Sequence, residues 1–507
     1  MERPEQTDAQ IREKARQAGL IEHFMIANLH GYRTVSMDTP NAAAILIAPN
    51  GAGKTTLIGA LNAVLKGQFA RLQNIDFDFI EIKLSNTNSH RIYKSDINNV
   101  VERSLSSEFI SQASKYDIKP NQLFEYLLHA YNREEARQSY YNTTTLFDNI
   151  AKGEGYSLER ALDVADRLTA SLFAGSESLE LVRSEIEESL RDIEILYLPT
   201  YRRIELSLAE DETYPHRRKR PDIKFSKDSL FSGTIQFGMA DISDQLMKLN
   251  NEVLAESNEG YRRISAKIIN DLIEGRFPNN LPNQGNLPSQ DELRIFFSRI
   301  SKAAPRFRPY YANDIPNLDR LYQSTDNTTS NQFLNYFLGY LNEVISRVSK
   351  IEDNVTHFIT TCNKYLGTYD PSTDFNIVRR YRSPSVDPKE LILDRSDMTV
   401  SVKSTVSNKD IPIESLSSGE KQMISLFGKM LLYDKPKVVL IDEPELSLSL
   451  DWQTQILSDI LAAPTCQQLI AITHSPFVFE NALEPFARTV DLKISNGDQP
   501  NSNPQLD

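Results

Sequence analysis

Three short motifs contain the side chains that could do chemistry. The first is a glycine-rich loop made of Asn50, Gly51, Ala52, Gly53, Lys54, Thr55 and Thr56. An apolar run precedes the loop, and Leu57, Leu61 and Leu65 recur every fourth residue after it. This pattern predicts a strand before the loop and a helix after it. A turn of this kind presents backbone N–H groups at the positive end of a helix, which suits a triphosphate.

The polar residues of this loop have separate predicted tasks. Lys54 would reach the β- and γ-phosphates of ATP, and the Thr55 hydroxyl would bind Mg²⁺. The other loop residues would form the nest of donors around the phosphates. Ala48 replaces the first glycine of the usual phosphate-loop pattern, which is a minor departure because both later glycines remain. Arg33 is a further candidate for contact with ATP.

The second motif is a pair of carboxylates at the end of an apolar run, Val438–Ile441. Asp442 would hold Mg²⁺ directly or through water, and Glu443 would polarise the attacking water as a general base. A second apolar run ends shortly before His474, which could contact the γ-phosphate. A lone histidine after a strand usually has a structural role, but the nearby carboxylate pair favours contact with the ligand.

The third motif consists of Leu416, Ser417, Ser418, Gly419, Glu420, Lys421 and Gln422. It predicts the beginning of another helix, because small polar residues precede a segment of helical periodicity. Ser417, Ser418 and Gly419 could bind phosphate at the N-terminus of that helix. A long insertion separates this motif from the glycine-rich loop in the sequence.

The pattern of apolar residues predicts a mixed α/β fold. Strands are expected within Ile21–Pro49 and at Ile193–Leu198, where short apolar or alternating runs end in turn residues. Apolar residues at three-to-four spacing predict long amphipathic helices over Ile242–Ile273 and Phe333–Leu366. These two helices either form a hairpin, as in a coiled-coil arm, or pack on the main body as ordinary helices.

The motifs and these elements predict how the chain is organised. The expected segments are a polar N-terminal extension at 1–20, an N-terminal ATPase lobe at 21–238, a helical insertion at 239–370, a C-terminal ATPase lobe at 371–490 and a polar tail at 491–507. The N-terminal lobe contains the glycine-rich loop. The C-terminal lobe contains the other two motifs and His474.

Composition excludes several classes of protein. The chain has 507 residues, of which 40% are hydrophobic and 25% charged, as in ordinary globular proteins. It shows no signal peptide and no apolar stretch of about 20 residues, so we expect a cytoplasmic protein without a membrane partner. Its two cysteines, Cys362 and Cys466, lack metal-ligand spacing and are expected in the core. The net charge of −13 disfavours a surface devoted to nucleic acid.

The order of these motifs around a long insertion resembles the SMC/RecF/OLD branch of ABC ATPases, in its AAA15/AAA21-like group. The resemblance implies an ABC-type P-loop NTPase head with a long helical insertion. It also implies that ATP is hydrolysed between two copies of the chain. One copy would supply Lys54, Asp442 and Glu443, and the other copy would supply Ser417 and Gly419.

Within this branch, three segments look like the ATPase subunit of PARIS anti-phage systems, namely Tyr197–Glu205, Leu416–Gln422 and Asp442–Ser449. This resemblance implies a homo-oligomeric sensor and scaffold in abortive infection. Its partners would be a separately encoded Toprim-like nuclease and a phage-encoded trigger protein. OLD-type nucleases continue into a Toprim domain after the histidine motif, but this sequence ends soon after His474. We therefore expect the nuclease on another chain.

Two alternatives share the same ATP chemistry. One is a RecF-like ATPase that acts in DNA repair or binds DNA ends, and the other is the ATPase of a Septu- or retron-type system with an HNH nuclease partner. The negative net charge makes DNA a possible but less favoured partner. The neighbouring gene would distinguish the nuclease partners.

Overall fold

The computed structural model describes residues 8–49, 51–127, 145–199, 239–276, 287–302, 329–366, 388–412, 415–445, 448 and 450–494. The chain divides into two compact units. The sheet unit comprises 6–236 and 435–507, and the helical unit comprises 1–5 and 237–434. The domain boundaries given above remain a prediction.

The described strands and helices follow in chain order. The strands are β1 (Ile21–Leu29), β2 (Arg33–Asp38), β3 (Ala43–Ile47), β4 (Phe79–Leu84), β5 (His90–Tyr93), β6 (Glu194–Leu198), β7 (Lys389–Asp394), β8 (Thr399–Ser404), β9 (Asp410–Ile411), β10 (Lys437–Asp442), β11 (Cys466–Thr473), β12 (Ala487–Thr489) and β13 (Asp491–Ile494). The helices are α1 (Asp8–Ala15), α2 (Lys54–Leu65), α3 (Lys94–Ser104), α4 (Ser107–Lys115), α5 (Pro120–Glu125), α6 (Thr145–Gly153), α7 (Leu158–Phe173), α8 (Glu177–Ser189), α9 (Met239–Ile273), α10 (Gln290–Lys302), α11 (Thr329–Leu366), α12 (Ser418–Leu431) and α13 (Leu450–Ala462).

The sheet unit contains two five-stranded sheets. One is antiparallel, with strands in the order β13-β2-β1-β4-β5, and the other has the order β12-β3-β11-β10-β6. Every pair in the second sheet is parallel. Parallel sheets are covered on both faces, so their strands are continuous apolar runs. Accordingly, every residue of β10 is buried, whereas β4 alternates between buried and half-buried positions.

Helix α2 lies in the core of the sheet unit. Nearly all of its residues are buried, including Leu57, Leu61 and Leu65, whose spacing predicted this helix. The buried amide of Gln468 on β11 joins the two sheets. Its Oε1 accepts hydrogen bonds from the backbone N–H groups of Leu20 and Ile21, at 3.0 and 2.8 Å. The antiparallel sheet is thus connected through the start of β1 to the parallel sheet at β11.

The helical unit contains an antiparallel pair made by α9 and α11. Tyr336 of α11 donates a hydrogen bond of 2.5 Å to Asp271 near the end of α9. Later in α11, Arg347 lies 3.6 Å from Glu256, which comes earlier in α9. The two helices approach closely at Gly260. A Cβ atom there would lie only 2.6 Å from Val344, so a larger residue would push the helices apart. The antiparallel pairing expected for the hairpin alternative is thus present, with α10 between the two helices in the sequence instead of a short tip.

The same helices also pack on α12, so ordinary packing occurs as well. Gln245 of α9 donates a hydrogen bond of 2.8 Å to the carbonyl of Leu432, just after α12. The ring of Tyr365 on α11 lies 5.2 Å from that of Phe427 on α12. The helix pair is therefore fastened at one end to the helix that begins in the third motif.

A buried ion pair connects α10, α11 and the turn between β7 and β8. Arg299 donates a hydrogen bond of 2.5 Å to Glu352, and both side chains are at most 5% exposed. Arg395 contacts the other oxygen of Glu352 at 2.6 Å. Because two cations flank one buried carboxylate with hydrogen bonds, the charges compensate one another.

The predicted fold class is confirmed as a mixed α/β fold with long helices. The helices over Ile242–Ile273 and Phe333–Leu366 are present and begin a few residues earlier. Ordered structure also enters both predicted polar ends, as α1 and as β13, which pairs with β2. Among the described residues, no helix is long and apolar enough to cross a membrane.

Both cysteines are free and buried, as expected from the sequence. Burial raises the pKa of the Cys466 thiol to about 12 and that of Cys362 well above its usual value. Since the thiolate is the reactive form, we predict that neither cysteine reacts with a thiol reagent at about pH 8 in the native protein. Both should react after unfolding. A rapidly reacting thiol in the native protein would contradict this prediction.

Candidate active site

The phosphate loop connects β3 to α2. Gly51 and Gly53 have φ angles of +83° and +88°, which side chains rarely adopt, so glycine is required at both positions. Gly53 is the N-cap of α2, and Lys54 is its first residue. The free N–H groups of the first turn therefore face the loop, as anion binding requires. Asn50 lies outside the described residues.

Strand order brings the predicted residues to one edge of the sheet. β11 lies between β3 and β10, and the three strands are parallel. β3 leads into the phosphate loop, β11 leads into His474, and β10 ends at Asp442. Ligands in parallel α/β sheets bind at this edge. The two sequence-distant motifs of the sheet unit thus meet because their strands are neighbours.

Glu443 follows β10 in a strained backbone conformation. Its φ angle is +56°, in the left-handed region, which costs a residue other than glycine about 1–3 kcal/mol. Its backbone N–H donates a hydrogen bond of 2.8 Å to the carbonyl of Ile472 on β11. The turn is therefore fixed to the neighbouring strand, one residue after the buried Asp442.

The two carboxylate oxygens of Glu443 have different partners. Oε1 lies 2.6 Å from Nζ of Lys54, and Oε2 lies 2.5 Å from Nδ1 of His474. Burial opposes ionisation of Glu443. Hydrogen bonds from Glu445 and Lys54, together with the charges of Lys54 and His474, nevertheless hold its pKa below the usual value. Glu443 is therefore a carboxylate at neutral pH, as a general base must be.

Glu445 also belongs to this site, although no task was predicted for it from the sequence. Its side chain is only 6% exposed. It accepts hydrogen bonds from the Thr473 hydroxyl at 2.8 Å and from the backbone N–H of His474 at 3.3 Å. Burial, and then the neighbouring Glu443 carboxyl, raise the pKa of Glu445. The sequence did contain a signal for this residue, namely a third carboxyl group close to the Asp442-Glu443 pair.

Arg33, at the start of β2, contacts the phosphate loop. Its Nη1 donates a hydrogen bond of 2.6 Å to the carbonyl of Gly51, and its guanidinium lies 5.2 Å from the centre of the Tyr32 ring. Contact with an aromatic ring and a carbonyl holds this cation beside the loop. The structure thus places Arg33 beside the phosphate loop, and its contact with ATP stays a prediction.

The third motif forms a capped helix N-terminus in the helical unit. The Ser417 hydroxyl accepts from the backbone N–H of Glu420, and the Glu420 carboxylate accepts from the backbone N–H of Ser417. This reciprocal capping box defines the start of α12, to which Ser418 and Gly419 belong. Lys389 of β7 lies 2.9 Å from the Glu420 carboxylate. A rigid helix N-terminus is thus present, as predicted.

The donors predicted for Mg²⁺ fit that ion chemically. Thr55 supplies a hydroxyl and Asp442 a buried carboxylate, and Mg²⁺ prefers hard oxygen ligands of this kind. A second group, formed by Glu443, Glu445 and His474, has ligand atoms within 4.8 Å of one another. We assign no metal to that group, because the Lys54 ammonium already supplies positive charge to it.

This fold and this site define an α/β P-loop NTPase. Residues 20–479 match the AAA_15 family, which is described as an AAA ATPase domain. Because the match covers most of the sequence, the chain belongs to that family. A search of curated proteins found no match.

Two solved structures are similar to this chain at low identity. One is an Smc head bound to the C-winged helix domain of ScpA, with 15% identity, a TM-score of 0.19 and coverage of 31% of this chain. This chain spans 46% of the length of that structure. The other is the recombination mediator protein RecF with ATPrS in the RecFOR pathway. It has 10% identity, a TM-score of 0.26 and coverage of 94% of this chain and 99% of that chain.

We predict that Arg33→Ala weakens ATP binding by about tenfold, because a charge-assisted contact beside the phosphates is lost. Arg91→Ala is the matched control, since Arg91 pairs with Glu81 on the antiparallel sheet of the same unit. Fluorescence titration with a slowly hydrolysed ATP analogue measures both affinities. Equal affinities in the two variants would show that Arg33 does not contribute to the nucleotide site.

Proposed function

We propose that this chain hydrolyses ATP to ADP and phosphate with Mg²⁺. The contact that carries the proposal is the Glu443 carboxylate held between Lys54 and His474, at the end of a buried strand. A cation for the phosphates, a carboxylate base and a histidine are brought together on three neighbouring elements. The family to which the chain belongs supports the same activity.

The residues have distinct tasks in this reaction. Glu443 accepts a proton from water, the water oxygen attacks the γ-phosphorus, and the bond to the β–γ bridging oxygen breaks to release ADP. Lys54 and the first turn of α2 bind the phosphate oxygens. Thr55 and Asp442 would hold Mg²⁺, which offsets negative charge on the phosphates. His474 stabilises the charge that develops on the γ-phosphate.

Nucleotide binding also competes with a contact inside the site. Lys54 lies 2.6 Å from Glu443, and its side chain is only 7% exposed. When the Lys54 ammonium turns to the phosphates, Glu443 loses a counter-charge and becomes a stronger base for water. The ion pair therefore links substrate binding to activation of the base.

The third motif supports hydrolysis between two copies. Its helix N-terminus, with Ser417 and Gly419, has the backbone donors to bind the γ-phosphate held by a second copy. ATP would then join two copies of the chain. ADP, which lacks the γ-phosphate, would release them.

Lys54→Ala should abolish detectable nucleotide binding, because the buried cation of the phosphate site is removed. Glu443→Gln should keep ATP bound, lower turnover about 10²–10⁴-fold and prolong the ATP-bound dimer. Nucleotide titration, phosphate release and light scattering measure these effects. Glu154→Gln is the matched control, because it makes the same carboxylate-to-amide change beside Lys115, away from the site. Normal turnover in Glu443→Gln would exclude this residue as the base.

At a finer level, we propose that the ATPase is the sensor and scaffold of a bacterial anti-phage system. Three segments support this proposal by resemblance to PARIS ATPase subunits, namely Tyr197–Glu205, Leu416–Gln422 and Asp442–Ser449. Thr200–Glu205, Leu446, Ser447 and Ser449 lie outside the described residues. In this proposal, ATP-joined copies hold a separately encoded Toprim-like nuclease, and a phage protein triggers its release.

The defence proposal predicts that the nuclease encoded by the neighbouring gene binds wild-type protein and Glu443→Gln, but not Lys54→Ala, because ATP holds the oligomer together. Co-expression and affinity purification with Mg²⁺ and ATP test this. Absence of binding in every variant would reject the scaffold role. Strong stimulation of hydrolysis by DNA, with a steep dependence of binding on salt, would instead support a DNA-repair ATPase.

A further inference from the structure

The buried carboxyl group of Glu445 lies against both candidate catalytic side chains. Its Oε1 is 3.2 Å from Nδ1 of His474 and accepts from the backbone N–H of the same residue at 3.3 Å. Its Oε2 accepts from the hydroxyl of Thr473 at 2.8 Å. Glu445 therefore contacts the site from the protein interior, whereas the ring of His474 is half exposed to solvent.

Nδ1 of His474 therefore has two possible acceptors. Glu443 lies at 2.5 Å and Glu445 at 3.2 Å from this one nitrogen. A ring nitrogen carries at most one hydrogen, so a good hydrogen bond to both carboxylates is excluded. The shorter distance assigns the hydrogen bond to Glu443 in this arrangement, with Glu445 as the second acceptor.

Glu443 changes its hydrogen-bond partners during hydrolysis. One of its oxygens faces Lys54 and the other faces His474, so both are occupied. Lys54 leaves Glu443 when its ammonium turns to the phosphates, and a carboxylate that turns to the attacking water moves away from Nδ1 of His474. If it gives up Nδ1, the His474 ring loses the contact that fixes its orientation unless another acceptor is close.

We propose that Glu445 is a positioning residue for ATP hydrolysis, which accepts the Nδ1 hydrogen of His474 when Glu443 turns to the attacking water. This inference rests on the proposed ATPase function. Glu445 then holds the ring so that Nε2, on the opposite side of the imidazole, keeps its direction towards the γ-phosphate. A histidine that acts through one nitrogen is commonly oriented by a carboxylate at the other.

Glu445 is itself well anchored for this task. Besides the hydrogen bond from Thr473, its backbone carbonyl accepts from Nε2 of Gln453 on α13 at 3.2 Å. The Thr473 hydroxyl in turn accepts from the backbone N–H of Ser475 at 3.0 Å. Because its side chain and its backbone carbonyl both have fixed partners, Glu445 needs little rearrangement to replace Glu443 as the acceptor for His474.

The test is a double-mutant cycle between Glu445→Gln and His474→Ala in the full-length chain. Glutamine replaces one carboxylate oxygen by an NH₂ donor and leaves a neutral amide oxygen, so it is a weaker acceptor for the Nδ1 hydrogen of His474. We expect Glu445→Gln to lower the single-turnover hydrolysis rate about 10–100-fold with unchanged ATP affinity. In the His474→Ala background the same change should cause no further loss, because Glu445 acts through the ring. Glu154→Gln should leave the rate unchanged.

Two outcomes would overturn the inference. One is a wild-type rate in Glu445→Gln, and the other is a loss of equal size with and without His474, as expected if Glu445 only stabilises the turn. If Glu445→Gln does not fold, Thr473→Val removes one anchor of Glu445 and should give a smaller loss that also disappears in His474→Ala. An inactive wild-type protein with normal ATP binding would instead reject the proposed ATPase function.

Discussion

The ion pair between Lys54 and Glu443 joins the first and the last thirds of the sequence in one site. It forms because β11 lies between β3 and β10 and all three strands run in the same direction. Two departures from ordinary backbone geometry bring the side chains into reach: the left-handed glycines of the phosphate loop and the left-handed Glu443. The buried strands supply the rigidity that keeps this strained turn in place. The placement of these side chains next to one another thus depends on sheet order.

In the helical unit, polar contacts connect the N-terminus of α12 to the long helices. Lys389 of β7 holds the capping carboxylate of Glu420, and the next contact along the same strand is between Leu391 and Asn363 of α11. Earlier in α11, Glu352 pairs with Arg299 and Arg395. The helix that would bind a partner's phosphate is therefore linked to α11 by side chains with fixed partners. Movement of the N-terminus of α12 would therefore strain its contacts with α11.

Much of this site was predictable from the sequence, because its residues follow apolar runs in short local motifs. Spacing alone identified α2, β10 and β11, and placed Lys54, Glu443 and His474 at their ends. The direct contact of Lys54 with Glu443 was not predictable, since it depends on which strands are neighbours. Glu445 was missed because its partners, Thr473 and His474, lie at the end of a different strand. Likewise, periodicity predicted two amphipathic helices but did not show whether they pack on each other or on another part of the chain. In the structure they pack on each other and also on α12.

The order of strands in the parallel sheet has a consequence for synthesis on the ribosome. β10 and β11 occupy the centre of that sheet, between β3 and β6, yet they are made long after both. β6 has no partner in this sheet until β10, which ends at Asp442, has emerged, and β3 has none until β11, which ends at Thr473, has emerged. Exposed strand edges promote aggregation, and contacts between distant segments form slowly. Both strands therefore stay unpaired while the helical unit is translated, a period in which aggregation competes with folding.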